Sequence, residues 1–271
     1  MREQDAYQLS GSGPENYERH QVSSLFGPLA ERFLKVVSLR SGDRVLDVAC
    51  GTGIVARLAA PQVGETGQVT GVDINPGMLE VARAHTPTSG APVEWRHGGA
   101  EALPCDDASY HVVLCQQGLQ FVANPPQALR EMHRVLMPGG RVAICSWSRI
   151  EHNPWNLAVS AGLARYLCDE AAARVSAPFA LGEAEYLQTL MTEAGFHHVD
   201  IQVETLNRHM AAPEESIPGY IASTPNAQAV AALADDVRAA FISEISEALC
   251  EYRQSDGMLV PSETHIALAR K

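Results

Sequence analysis

At 271 residues, with 46% hydrophobic residues and a formal charge of −12, the chain has enough apolar content for one large packed domain or two smaller ones. The acidic balance argues against a nucleic-acid polymer as substrate, because phosphate backbones are bound through clustered Lys and Arg. The N-terminus is polar, no apolar run approaches membrane-spanning length, and six scattered cysteines form no CxxC pair. A chain that meets no membrane, keeps its thiols reduced and resides in the cytoplasm is expected.

In chain order, residues 1–13 are rich in Gly, Ser and Gln and read as a mobile tail. Residues 15–38 carry helical spacing (Leu25, Leu29, Phe33, Val36, Val37), with a break expected near Gly27-Pro28. A first strand, Val45, Leu46 and Val48, runs into the turn Ala49-Cys-Gly51-Thr-Gly53, and the turn opens a helix bearing Ile54, Val55, Leu58 and Ala59. A second strand, Gln68–Ile74, ends in Asp73, and Asn75-Pro76 starts the next helix. A third strand over Val93–Arg96 leads to the loop 98–104. The fourth, Tyr110–Cys115, ends in Gln116-Gln117, and a helix over 126–136 is stopped by Pro138-Gly139-Gly140 before a fifth strand, Arg141–Trp147.

Five strands alternating with helices predict an α/β, doubly wound, mostly parallel sheet with crossovers. Beyond Trp147 the alternation lapses. Helical patches at about 154–167 and 169–176, an amphipathic stretch at 183–194, a strand-like Phe196–Asn207, a helical insertion at about 214–253 and a short strand Thr264–Ala269 complete the chain.

The glycine turn with Asp73 22 residues beyond Gly51 formally matches the GxGxxA dinucleotide fingerprint. Alone, that leaves NAD, FAD and S-adenosylmethionine (SAM) open. Asp47 narrows the choice. A pyrophosphate sits where helix N-terminal amides and dipole favour an anion, and a carboxylate beside that place opposes it. SAM carries an ammonium and a sulfonium and no phosphate, so it suits Asp47 better.

The strings VLDVACGTG, GVDINPGML, GGAEALP, VVLCQQGLQF and RVLMPGGRV, in that order over residues 44–147, resemble the class I SAM-dependent methyltransferases. The nearest pattern is the small-molecule branch with the ubiquinone and menaquinone C-methyltransferases, which the later stretch PF-LGEAEYLQTLMTEAGF also resembles. The resemblance implies a seven-stranded Rossmann-like sheet, last strand antiparallel, with helical insertions forming a lid. It implies a single domain over 1–271: cofactor-binding core 44–147, acceptor-pocket insertions 148–182 and 208–253, and an N-terminal helical lid 1–40. Asp47, Ala49 and Gly51 would line the methionine half of SAM, and Asp73 would accept both ribose hydroxyls. Ile74 and Met78 would pack on the adenine, and Ala100 and Glu101 would frame its edge. Gln116 and Gln117 would lie near the sulfonium, and Tyr17 and His20 would close over the cofactor. Two departures stand out. Ala49 takes the first position of the glycine turn, and Gly99 stands where the family has an aspartate for the adenine amino group.

For catalysis, His152 is the best-placed general base, because imidazole titrates near neutral pH, with Glu151 and Gln117 as further candidates. His197-His198 lacks further ligands at metal spacing, so no metal site is expected. The reading is a SAM-dependent methyltransferase of secondary metabolism acting on O, N or activated C of a small, partly apolar acceptor, as a monomer or homodimer. Its alternatives are an NAD-dependent oxidoreductase and a non-catalytic SAM-binding protein.

Overall fold

The computed structural model describes residues 9, 11–222 and 224–271. Most of the expected N-terminal tail, residues 1–8 and 10, lies outside them. The described chain forms two compact units: residues up to 146 with 183–204 and 265–271, and residues 147–182 with 205–264.

In the first unit the chain enters through α1 (Gly13–Asn16), continues in wide π-type turns over Tyr17–Phe26 and runs into α2 (Gly27–Val37). The break expected at Gly27-Pro28 does not form. Gly27 keeps a helical φ of −66°, and Pro28 sits in the first turn of α2, where a missing N–H costs little. Then β1 (Arg44–Val48), α3 (Ile54–Val63), β2 (Gln68–Asp73), α4 (Pro76–Ala84) and β3 (Val93–His97) alternate. β4 (Tyr110–Gln116), α5 (Pro125–Val135) and β5 (Leu136–Trp147) complete the series. Pro138-Gly139-Gly140 therefore lies inside an extended β5 rather than before it. Its register against β4 jumps from Tyr110 opposite Leu136 to Val112 opposite Arg141, so the three residues are accommodated as an irregularity in the ladder.

The second unit follows with α6 (Pro154–Tyr166) and α7 (Asp169–Ser176). The chain returns to the first unit for α8 (Ala184–Glu193), which packs on α5, and for the first part of β6 (His197–Met210). It then adds α9 (Pro213–Ala222), α10 (Ala227–Ala231), α11 (Asp235–Ala248), the two-residue β7 (Arg253–Gln254) and β8 (Gly257–Arg270). The helical insertion expected over 214–253 is thus three helices, and the last strand is longer than its sequence pattern suggested.

Seven strands lie in the order β3-β2-β1-β4-β5-β8-β6, and β7 pairs with β8. The pairings β1–β2, β1–β4, β2–β3 and β4–β5 are parallel, and the last strand, β8, is antiparallel, as expected. Val45, Leu46, Val48, Val69, Val72, Val112, Val113 and Leu114 are at most 1% exposed. These central strands are covered on both faces, as continuous apolar runs in parallel sheets are, each such side chain contributing about 1.5–3 kcal/mol. Chain order reverses between β1 and β4, since β2 and β3 build outward on one side and β4 and β5 on the other. That reversal is where open α/β sheets present a ligand crevice.

The second unit has its own apolar cluster, including Trp155, Val159, Leu163, Ile217, Ile221, Phe241, Ile245, Met258 and Val260. At Gly162 on α6 a Cβ would stand 3.0 Å from both Phe241 and Ile245, so this glycine lets α11 approach α6 closely.

Candidate functional site

The turn after β1 is shaped by sterics. Ala49, Gly51 and Gly53 all have positive φ (55°, 57° and 85°), and Ala49 holds this conformation without the glycine that usually occupies it. At Gly53 an added Cβ would lie 2.3 Å from the Trp95 ring, and at Gly71 on β2 2.5 Å from the same ring. Trp95 is fixed by its own N–H, which donates to Thr86 Oγ1 at 2.8 Å. The indole therefore braces both the turn and the neighbouring strand.

Asp47, 1% exposed at the end of β1, accepts from the Ala56 N–H at 3.0 Å. Its carboxylate already occupies an amide of the first turn of α3, where a pyrophosphate would have to bind. Burial, with Asp73 nearby, pushes its pKa up to about 8, and it forms no ion pair among the described residues. An uncompensated buried carboxylate is a place for a cation.

Asp73, at the carboxyl end of β2, accepts from the Gly51 N–H at 2.7 Å and from the Asn75 N–H at 2.8 Å. Burial raises its pKa in spite of these bonds. It is not the helix cap. Asn75 caps α4, accepting from Gly77 and Met78 amides at 2.9 and 3.4 Å. Beyond Asp73, Ile74 is an exposed apolar side chain, and a Cβ at Gly99 would stand 3.7 Å from its Cδ1. Ile74 and the Gly99 backbone thus flank one place, with Ala100 following and Met78 half-buried on α4. Glu101 has another partner: it accepts from the Asn124 N–H at 2.7 Å, just before α5.

The end of β4 meets the glycine turn directly, because a Cβ on Gly118 would lie 2.5 Å from that of Ala49. Gln117, with a left-handed φ of 55°, is buried and accepts from Gln120 Nε2 at 2.6 Å. Gln116 donates to the Phe26 carbonyl at 3.2 Å, so it ties β4 to the N-terminal helical stretch. From that stretch the Tyr17 ring, stacked on Phe26 at 5.4 Å, reaches to 4.0 Å from the Cβ position of Gly51. Burial and the charges of Asp73, Glu18 and Asp47 keep its hydroxyl protonated. Glu18 bonds Arg57 on α3 at 2.7 Å, and the Asn75 amide reaches the Leu9 carbonyl at 2.9 Å. His20 is exposed.

Three buried oxygens in this region, Glu18 Oε2, Gln116 Oε1 and Gln120 Oε1, accept no hydrogen bond among the described residues. Together with Asp47 and Asp73 they make the lining rich in acceptors, with Arg57, bonded to Glu18, as a cation at its edge and none beside Asp47 among the described residues. SAM, with its ammonium, sulfonium and ribose hydroxyls, fits that lining. A dinucleotide pyrophosphate does not.

In the second unit His152 lies on the short turn Ile150–His152, and its Nδ1 meets Glu263 Oε1 at 2.6 Å. Asn153 fastens the pair, accepting from the Glu263 N–H at 3.0 Å and donating to the Glu263 and Arg149 carbonyls at 3.2 and 3.1 Å. Glu151 is exposed beside it. No group of three or more metal-ligating side chains exists among the described residues. Sequence reasoning missed Glu263, 111 positions from His152, and it missed Trp95, Glu18 and Arg57. Only the glycines at 53 and 71 hinted at Trp95, by needing something large to fill the space they leave.

Residues 46–144 match the family described as "Methyltransferase domain". The chain is 34% identical over 175 residues to the chloroplastic 2-phytyl-1,4-beta-naphthoquinone methyltransferase of Arabidopsis thaliana, over 58% of this chain and 65% of that one. It is 39% identical over 134 residues to a demethylmenaquinone methyltransferase of Staphylococcus aureus, over 49% of this chain and 53% of that one. It therefore spans only about half to two thirds of the length of these curated relatives. Its fold resembles that of a Haemonchus contortus phosphoethanolamine N-methyltransferase bound to S-adenosylhomocysteine (SAH): TM-score 0.55, 22% identity, 90% of this chain and 52% of that one. Residues 46–144 are thus similar to a methyltransferase domain, and they lie in a fold and motif order that resemble the class I SAM-dependent methyltransferases.

Proposed function

We propose that the protein is a SAM-dependent methyltransferase for a small, partly apolar acceptor. The observation that carries this reading is the pair of buried carboxylates, Asp47 and Asp73, set at the glycine turn with no cation beside Asp47 among the described residues. Bound SAM supplies an electrophilic methyl group on sulfur. Asp47 and the backbone of Ala49 and Gly51 hold the amino-acid end, and Asp73 turns from the Gly51 amide to the ribose hydroxyls. Ile74 and Met78 cover the adenine, and the backbone of Gly99 and Ala100, with Glu101, reads its edge in place of the missing aspartate. Tyr17 closes over the turn and excludes water, and Gln116 and Gln117 complete the wall at the end of β4. Catalysis rests on positioning, since alignment of acceptor and methyl group can supply several kcal/mol.

His152 takes the acceptor's proton at Nε2, oriented through Nδ1 by Glu263 as general bases commonly are. Glu151 is a second candidate base. The names of the curated relatives make a 1,4-naphthoquinone-type compound the first acceptor to assay. Six free thiols, four of them buried, support a reducing compartment such as the cytoplasm, and a role in secondary metabolism accords with a small-molecule acceptor. Calorimetry with SAM, SAH and NAD tests the cofactor. Binding of SAM and SAH without NAD is expected, and binding of NAD alone overturns the reading.

A further inference from the structure

The second unit contains two buried hydrogen-bond donors that none of the assignments above uses. The indole N–H of Trp155, a residue 1% exposed, has no acceptor among the described residues. Arg208 on β6 has a buried Nε in the same state, and its guanidinium forms no ion pair or hydrogen bond among them. With no carboxylate beside it, burial pushes the Arg208 pKa below the usual arginine value. Tyr220 on α9 packs beside Trp155. Its ring meets Trp155 edge-on at 5.6 Å and its hydroxyl accepts from Asn156 at 3.3 Å, while Met210, two residues beyond Arg208 on β6, packs on the same apolar cluster. Trp155, Asn156 and Tyr220 thus meet, Arg208 lies on the strand whose Met210 packs on the same cluster, and Trp155 and Arg208 present donors to no acceptor among the described residues.

Nothing in the packing requires these donors. A leucine at 208 or a phenylalanine at 155 would fill space in an apolar cluster without leaving a buried polar group unmatched. Arginine also differs from lysine in offering a planar fork suited to a carboxylate or phenolate and able to lie against an aromatic face. We infer that Arg208, with Trp155 and Tyr220, forms an acceptor-binding subsite for a planar aromatic ligand bearing an ionised oxygen. The guanidinium binds the anionic oxygen, the indole N–H reaches a second oxygen, and the Trp155 and Tyr220 rings take the apolar body. The inference rests on the methyltransferase reading only in calling this ligand the methyl acceptor.

Calorimetry on the full chain tests it, in the presence of saturating SAH, with 2-naphthoate and 4-nitro-1-naphtholate as carboxylate and phenolate probes and 2-naphthylmethanol as the neutral control. At least one anion is expected to bind about tenfold or more tightly than the alcohol, and its relative strength identifies the oxygen preferred. Arg208→Gln loses that preference, Arg208→Lys keeps part of it, and Trp155→Phe, which retains an aromatic ring, weakens the anion by about threefold. Equal binding of anion and alcohol by the wild type, or unchanged anion affinity in both Arg208 variants, overturns the subsite. SAH affinity is the separate control. A protein that binds the anion through Arg208 but never binds SAH retains the subsite and loses the methyltransferase reading.

Discussion

Asp47→Asn is the most direct perturbation of the cofactor site. Asparagine keeps an oxygen for the Ala56 N–H, so the 3.0 Å bond that anchors the start of α3 survives while the charge is removed. In the folded protein burial holds the Asp47 pKa at about 8 against an ordinary 3.8. The native state therefore binds a proton that the unfolded chain has released, and stability falls as pH rises between those two values. At 1.36 kcal/mol for each tenfold change in proton affinity, the full displacement corresponds to about 6 kcal/mol, an upper bound for a site that relaxes on ionising. Asp73, raised in the same direction, adds to the slope and is common to both proteins, so the difference between them isolates Asp47. Urea denaturation from about pH 5 to 8.5 should show the Asp47→Asn variant overtaking wild type as pH rises. Adding SAM should reverse the order near pH 8, because a bound cation favours the ionised aspartate. Parallel curves for the two proteins, or equal stabilisation of both by SAM at that upper pH, would refute the reasoning.

Asp73→Asn should weaken SAH binding by at least about tenfold in calorimetry, since a charged acceptor of two hydrogen bonds becomes a neutral one. Gly53→Ala combines a φ of 85° with a Cβ 2.3 Å from the Trp95 ring and should cost about 2–4 kcal/mol of unfolding free energy. Gly139→Ala, at a φ of 74° with nothing within 4 Å, should cost about 1 kcal/mol. Equal losses in the two would remove the steric role given to Trp95. With a turned-over acceptor in hand, Glu263→Gln should lower kcat by about tenfold, leaving KM nearly unchanged.

The alternation of strands and helices through β5 was legible because β-branched apolar runs are separated by Gly, Pro and Asn in a one-dimensional pattern. The glycine turn and Asp73 were legible for the same reason, since local spacing carries them. What was not legible depends on long-range placement. Gln116 reads as a polar residue at a strand end, and nothing local shows that it bonds Phe26, 90 positions away. The His152–Glu263 pair and the meeting of Trp155 with Tyr220 arise only when elements distant in sequence are laid side by side. Gly27-Pro28 misleads in the other direction. Both residues are common breakers, yet a proline in a helix's first turn does no harm, and the chain continues through them.

Trp95 has a consequence for how this sequence can change over generations. One indole excludes side chains from position 53 and position 71 at once, so neither glycine is free to drift while the tryptophan remains. Loss of the large ring would lift its steric bar at both positions and leave a void beneath the cofactor turn, although residue 53 would still have to hold a φ of 85°. Residues 53, 71 and 95 therefore form a single heritable unit. Descendants of this chain should carry either Gly, Gly and Trp or a joint replacement with a small residue at 95 and a side chain at one of the other two.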